Sequence, residues 1–243
     1  MKKAIFNWSG GKDASFALYQ ILQNKNYEIS ALLTTFNASN NRVSMHGVHR
    51  NLIAAQAHQI GLPLHPVLLP ADIGMTAYNE RMNDKLESYK DQGIRHCIFG
   101  DILLEDIKAY RDRRLKRVKM RGVYPIWQQS TLELAQRFIQ AGFKAVVVSV
   151  NGSQLNRSFA GREYDQAYLA DLPEQVDPCG ENGEFHTFVY DGPIFEHPVS
   201  FEKKDIVTKC YEQEVENDST RGNDANGDKE VTYYFQNLVK YSG

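Results

Sequence analysis

The chain has 243 residues, 28 Lys+Arg against 30 Asp+Glu, a formal net charge of -2, 42% hydrophobic residues and 24% charged ones. A chain of this length buries roughly 70–75% of its unfolded surface, so its core needs neither disulfides nor a structural metal. Near-neutrality argues against a general polyanion binder such as a nucleic-acid protein, and no run approaches the ~18 apolar residues of a membrane span.

The first apolar run, Ala4 to Trp8, predicts a strand that ends in Ser9-Gly10-Gly11. A helical pattern follows, with Phe16, Ala17, Ile21 and Leu22 on one face. Glu28 to Phe36 is β-rich, Val48 to Ile60 has helical spacing, and Leu64 to Leu69 predicts a buried strand after the breaker Gly61-Leu62-Pro63. Ala77 to Gln92 predicts a helix, His96 to Phe99 a strand, Leu104 to Met120 a long helix, Thr131 to Ala141 another, and Phe143 to Val150 a strongly apolar strand. Strands alternating with helices imply a Rossmann-like α/β fold, a parallel sheet with helices on both faces. After Val150 the texture changes to short, Gly- and Pro-punctuated segments, with strands expected at Phe185 to Tyr190, Val199 to Tyr211 and Glu230 to Tyr241. Two domains are expected, 1–125 for a nucleotide and 126–243 as a smaller α+β substrate-side domain, with a mobile polar hairpin loop near 212–230.

The N-terminus turns polar at Ser9, too early for a secretory h-region. The three cysteines, Cys97, Cys179 and Cys210, are widely spaced with no Cys-x-x-Cys pair. They read as reduced thiols, and the expected location is cytoplasmic.

Ser9-Gly10-Gly11-Lys12-Asp13 sits between the first strand and the first helix. Glycines permit a tight turn that aims backbone N–H groups at one point, and the positive end of the helix favours an anion there. Lys12 supplies a cation for phosphate oxygens, Ser9 a hydroxyl, and Asp13 a carboxylate for Mg²⁺. The loop is neither a Walker A motif nor Gly-x-Gly-x-x-Gly. The bland alternative is a glycine-rich turn with an incidental lysine.

Further on, 177 to 188 reads Asp-Pro-Cys-Gly-Glu-Asn-Gly-Glu-Phe-His-Thr-Phe. Its acids, amide, imidazole and hydroxyl suit a polar substrate or a metal, and equally a turn-rich connection with solvated acids. Gly100 and Asp101 lie where a strand opens into a helix, the edge at which open α/β sheets bind ligands. Asp101, Glu105 and Asp106 could face phosphates there, or simply favour a helix N-terminus. His46 follows the second strand, where it is either a nucleotide contact or an ordinary surface histidine. Seven basic residues lie between Arg111 and Arg121. They read first as a solvated helix face, with Arg111 or Arg114 able to meet phosphate.

Ser9 to Asp13 resembles the PP-loop of the ATP pyrophosphatases, Ser-Gly-Gly-x-Asp-Ser/Thr, with Ala14 at the hydroxyl position and Ser15 one residue on. The 180–187 stretch resembles the Gly-Glu-Gly-Gly-Glu-(aromatic)-x-Thr motif of the diphthine–ammonia ligase family, in a form like its bacterial-type subgroup. Gly180, Glu181, Gly183, Glu184 and Thr187 match, Asn182 replaces a glycine, and His186 fills the variable place. The resemblance implies ATP and Mg²⁺ as cofactors, with ATP contacts at Ser9, Gly10, Gly11, Lys12, Asp13, Ser15, His46, Gly100 and Asp101. It implies catalytic roles for Lys12, Asp13, Glu181 and Glu184, and a substrate side formed by Gly180, Glu181, Asn182, Gly183, Glu184, His186 and Thr187. The implied reaction adenylates a carboxylate, releases pyrophosphate and forms an amide with ammonia. The family's protein substrate is a modified histidine of translation elongation factor 2; for this chain the acceptor and a homodimeric state stay open. Two other readings are a tRNA-modifying PP-loop enzyme using Cys97 or Cys179, and a non-catalytic adenine-nucleotide sensor.

Overall fold

The computed structural model describes residues 1–44, 46–70, 73–213 and 229–241. The polar loop expected near 212–230 falls, over 214–228, outside the described residues.

The first half comprises β1 (Lys2–Asn7), α1 (Lys12–Asn24), β2 (Tyr27–Asn37), β3 (Arg42–Val43), α2 (Arg50–Ile60), β4 (Leu64–Leu69), α3 (Met75–Asp91), β5 (His96–Ile98), α4 (Glu105–Arg117) and β6 (Arg121–Val123). β4, β2, β1, β5 and β6 run parallel, and β3 pairs antiparallel with the end of β2. The period-2 alternation of β1 decides what packs where. Ala4 and Phe6 join Phe16, Leu18, Leu52 and Ile53 on the α1–α2 side. Ile5 points the other way, into a cluster with Met82, Leu86 and Leu115 of α3 and α4. Helices therefore cover both faces, as the alternation of elements implies.

The chain goes from β1 outward to β2 and β4, then crosses back to β5 on the other side of β1. The gap between the ends of β1 and β5 is thus a topological switch point, the place where such sheets form a ligand crevice. It is flanked by Ser9–Gly11 and by Phe99–Leu104.

The second half comprises α5 (Thr131–Gln140), β7 (Lys144–Asn151), α6 (Gln166–Asp171), β8 (Phe185–Asp191), β9 (Phe201–Gln213) and β10 (Lys229–Lys240). Its antiparallel sheet has the order β8-β7-β10-β9. The two sheets share one core. Phe138 and Phe143 lie 6.4 and 6.3 Å from Phe16 of α1, and the α1-side cluster runs on through Val146, Val148 and Phe188.

Three details depart from the sequence reading. Leu22 is 39% exposed, because it sits 100° round the helix from Ile21; fully buried Leu18 fills the stripe instead. Strands β3 and β6 are too short to leave a periodic signature. The six-residue helix α6 begins where the Asp165 side chain accepts from Tyr168 N–H, a local cap rather than an amphipathic pattern.

Candidate functional site

The PP-loop is held from below by one buried amide. Gln56, on α2, donates through Nε2 to the Gly10 and Val189 carbonyls at 2.9 and 2.6 Å, and its Oε1 accepts from Trp8 Nε1 at 3.0 Å. Val189 N–H in turn donates to Gly10 O at 2.9 Å. Gly10 has φ +80°, and a Cβ there would lie 2.6 Å from both Gln56 Oε1 and Ile53 Cδ1, so glycine is required on both counts. Gly11 caps α1 with no side-chain bond, which leaves the positive helix end facing the cleft. Gly11 N–H donates to Ser9 Oγ at 3.2 Å, and Lys12 N–H to Thr187 Oγ1 at 3.0 Å.

Gly100 brings the other rim close. A Cβ at Gly100 would stand 2.9 Å from Ala14 N and from Asp13 C. The loop after β5 therefore packs directly on the first turn of α1.

Between these rims and the 179–187 segment lies a cleft of about 720 Å³. Lys12 is only 4% exposed. Its Nζ donates to both Asp13 oxygens at 2.7 and 2.9 Å and to the Cys179 carbonyl, and lies 5.6 Å over the Phe185 ring. Burial pushes the ammonium pKa down, but Asp13, Cys179 and Glu181 more than offset this and hold it above its ordinary value. Asp13 is pushed up by burial, which Lys12 opposes. Across the cleft, Arg111 stacks on Phe99 at 4.4 Å and pairs with Asp101, Nη2 to Oδ1 at 3.3 Å. Its Nε lies 3.0 Å from Asp101 Oδ2, yet neither buried atom has an aligned hydrogen bond. Burial raises the Asp101 pKa against the pull of Arg111.

Glu181 faces the same space and bridges the two halves by accepting from Leu103 N–H at 3.2 Å. Burial first, then Asp13, push its carboxyl up to about 7. His46 and His186 stack at 4.5 Å, and His46 Nδ1 lies 3.3 Å from the Thr187 carbonyl. Burial pulls His46 down to about 4 and His186 well below its ordinary value, with Lys12 contributing to both. At neutral pH both rings are uncharged, so they add polar atoms to the cleft without adding cations.

Two residues assigned to the site from sequence do other work. Ser15 is fully buried and donates to the Gly11 carbonyl at 2.9 Å, one helical turn back, so it does not supply the hydroxyl that Ala14 lacks. Glu184 is also fully buried. Its carboxylate accepts from Asp177 N at 3.0 Å and from Asn182 N and Nδ2 at 2.9 Å each, so it shapes the loop rather than meeting a substrate. Asp177 assists by accepting from Cys179 N–H at 2.8 Å and the Thr131 hydroxyl at 2.7 Å. Ser9, Lys12, Asp13, His46, Gly100, Asp101, Gly180, Glu181, Asn182, Gly183, His186 and Thr187 all line the cleft. Gln56 was not apparent from the sequence, although a glutamine inside the apolar stripe Leu52-Ile53-Ala57 is a signal of buried polar work. In the basic run, Arg111 reaches the cleft, whereas buried Arg114 holds Asn79 and Asn83 of α3.

Comparison with known proteins gives this arrangement a family. Residues 1–122 match the diphthamide synthase N-terminal domain and residues 130–221 the diphthamide synthase C-terminal domain. The chain belongs to the diphthamide synthase family. It is 25% identical to the diphthine–ammonia ligase of Bos taurus over 82% of this chain and 83% of that protein. With the Homo sapiens enzyme it is 24% identical, over 82% of each. The Saccharomyces cerevisiae enzyme is 26% identical over 86% of this chain but only 35% of its own length. Among solved structures, the U34-tRNA thiolase NcsA of Methanococcus maripaludis aligns at 16% identity and a TM-score of 0.35, over 57% of this chain and 56% of that one.

Within this diphthamide synthase frame the donor set suits Mg²⁺ brought in by a nucleotide. Asp13 and Asp101 offer hard oxygens to one cleft, and Asp101 Oδ2 is buried without a hydrogen bond. Among the described residues no three His, Cys, Asp or Glu side chains are gathered to hold a metal alone. Mg²⁺ characteristically takes one or two carboxylates plus substrate phosphates. None of the helices described is long and apolar enough to cross a membrane.

Proposed function

We propose that this chain is an ATP-dependent ligase that adenylates a carboxylate and converts it to an amide with ammonia. The observation that carries this reading is the convergence of the PP-loop and the Glu181 loop on one cleft, tied by Lys12 N–H to Thr187 Oγ1. Family membership supplies the reaction class.

The N-terminal end of α1 and Lys12 bind the phosphates, and Arg111 is near enough to exchange Asp101 for phosphate oxygens. Asp13 and Asp101 would hold Mg²⁺, which when bound offsets the charge developing on the pyrophosphate. The acceptor carboxylate oxygen attacks the α-phosphorus; the new P–O bond forms as the α–β bridge breaks, and pyrophosphate leaves. Ammonia then attacks the acyl carbon, the C–O bond to AMP breaks, and Glu181 takes the proton released by the nitrogen. A carboxyl held near 7 is suited to that step, since a general base works best with a pKa close to the operating pH. Neutral His46 and His186 fix polar contacts without repelling ammonium. In this reading residues 1–125 hold the nucleotide and 126–243 present the acceptor side.

A thiol-based tRNA reaction finds no support in the site. Burial pushes the thiols of Cys97 and Cys179 up to about 11 and about 12, and the thiolate is the reactive form. Incubation with ATP, Mg²⁺, ammonium and a panel of carboxylates tests the proposal. AMP and pyrophosphate should appear only when a carboxylate is present, and Lys12→Ala should abolish them; formation of ADP and phosphate would overturn it.

A further inference from the structure

A second concavity of about 620 Å³ adjoins the cleft and shares Val43 and Ser44 with it. One wall is a face of the β9–β10 ribbon. Register pairs Val207 with Phe235, Lys209 with Tyr233 and Tyr211 with Val231, so alternation places all six on one side of the sheet. Tyr233 lies 5.7 Å from Tyr211 and 6.2 Å from Phe235, ring centre to ring centre. The opposite wall is the 42–47 turn. A Cβ on Gly47 would come within 2.9 Å of the Phe235 ring, and Arg42 holds Gly47 O at 2.5 Å and Asn237 Oδ1 at 2.9 Å. The same turn carries His46 into the cleft.

The ribbon wall is thus largely apolar and aromatic, the rest of the lining adds the amides of Asn37, Asn40 and Asn237, and the groove carries two cations. Arg42 lies in one wall, and Lys209 Nζ sits 5.6 Å over Phe235. Neither is ion-paired with a carboxylate among the described residues. Its size and lining are those of a small-molecule site, mostly apolar with a few placed polar groups.

We propose that this groove binds the body of the acceptor, a small carboxylate that carries a flat apolar ring system and a second anionic group. The inference rests on the ligase reading above and adds the substrate class. The flat body lies on Tyr233 and Phe235, the second anion meets Arg42 and Lys209, and the reacting carboxylate passes Val43 and Ser44 toward Lys12. Contacts remote from the reacting atoms then contribute to catalysis by positioning.

The test uses the full chain and three probes: 3-(4-carboxyphenyl)propionate, 3-phenylpropionate and acetate. Titration calorimetry is expected to rank them in that order, with the dicarboxylate at least about tenfold tighter than acetate. Lys209 and Tyr211 are exposed, so the double variant Lys209→Gln, Tyr211→Ala should fold normally. It should lose about tenfold in dicarboxylate affinity and keep its ATP affinity within about twofold. Equal affinities across the probes, equal affinities in both proteins, or no binding at all would overturn the proposal. A parallel loss of ATP affinity would assign the groove to the nucleotide and overturn it too. Hydroxamate formation from the same probes, with ATP, Mg²⁺ and hydroxylamine in place of ammonia, reads the ligase activity separately. Probe binding that the double variant loses, without hydroxamate, supports the groove and counts against the ligase reading.

Discussion

Lys12 N–H donates to the Thr187 hydroxyl at 3.0 Å across 175 residues of chain. The bond joins the start of α1 to β8, and so joins the glycine loop at 9–13 to the 177–188 motif. Thr187 is 2% exposed, so the donor it satisfies is buried. Thr187→Val leaves that N–H unpaired at a cost of about 1–3 kcal/mol. The melting temperature should fall by about 2–4 °C for each kcal/mol in a chain of this size, and the KM for ATP should rise. Thr187→Ser should restore both; if Thr187→Val matches wild type in thermal melts and in KM, the bond is not what links the two halves.

Gly100→Ala tests the other rim. Its new methyl would meet the backbone of Asp13 and Ala14 at 2.9 Å, where no side chain can swing aside. Overpacking of this kind costs about 1–3 kcal/mol. Because the displaced atoms are the first turn of α1, ATP binding measured by calorimetry should weaken together with stability. Stability lost with ATP affinity intact would separate Gly100 from the nucleotide.

The pH dependence follows from Glu181. Its carboxyl rises from an ordinary 4.5 to about 7 in the folded chain. A carboxyl raised in this way favours the folded state below about 4.5, and that contribution is lost as pH rises toward and through about 7. The base form that the proposed amide-forming step uses appears over the same range. The kcat/KM expressed per free ammonia, with the ammonium equilibrium divided out, should climb to a plateau with an apparent pKa near 7, while denaturant midpoints drift down. Glu181→Gln should flatten the stability drift and remove the catalytic limb; a limb that persists in this variant belongs to another group.

Thiol chemistry provides an independent check. Cys97 and Cys179 are buried, and Cys210 is exposed. Iodoacetamide on the native protein should label Cys210 alone, as read by peptide mass mapping, and leave ligase activity unchanged. Rapid labelling of Cys179 with loss of activity would reopen a thiol mechanism.

How much of this was legible in the sequence depends on which force set each feature. The alternation of strands and helices, and a glycine turn before α1, are local and visible. Pairing of β1 with both β2 and β5, which creates the crevice, follows from connection rules rather than from any residue. Motif residues were harder to sort, because an acid in a polar loop carries no mark of the direction it faces. Glu181 points into the cleft, and Glu184, three residues on, turns inward to hold Asp177 and Asn182. Ser15 looked like a displaced phosphate ligand, yet helical geometry sends its hydroxyl back to the Gly11 carbonyl. Gln56 lay hidden because its partners, Trp8, Gly10 and Val189, come together only in three dimensions.

The central claim is that a carboxylate oxygen attacks the α-phosphorus of ATP. Oxygen-18 in the carboxylate of a turned-over acceptor decides it by mass spectrometry of the nucleotide product. One labelled oxygen should appear in AMP, with unlabelled pyrophosphate, in step with amide formation. Label in inorganic phosphate, with ADP as the nucleotide, would place the attack at the γ-phosphorus and contradict the account.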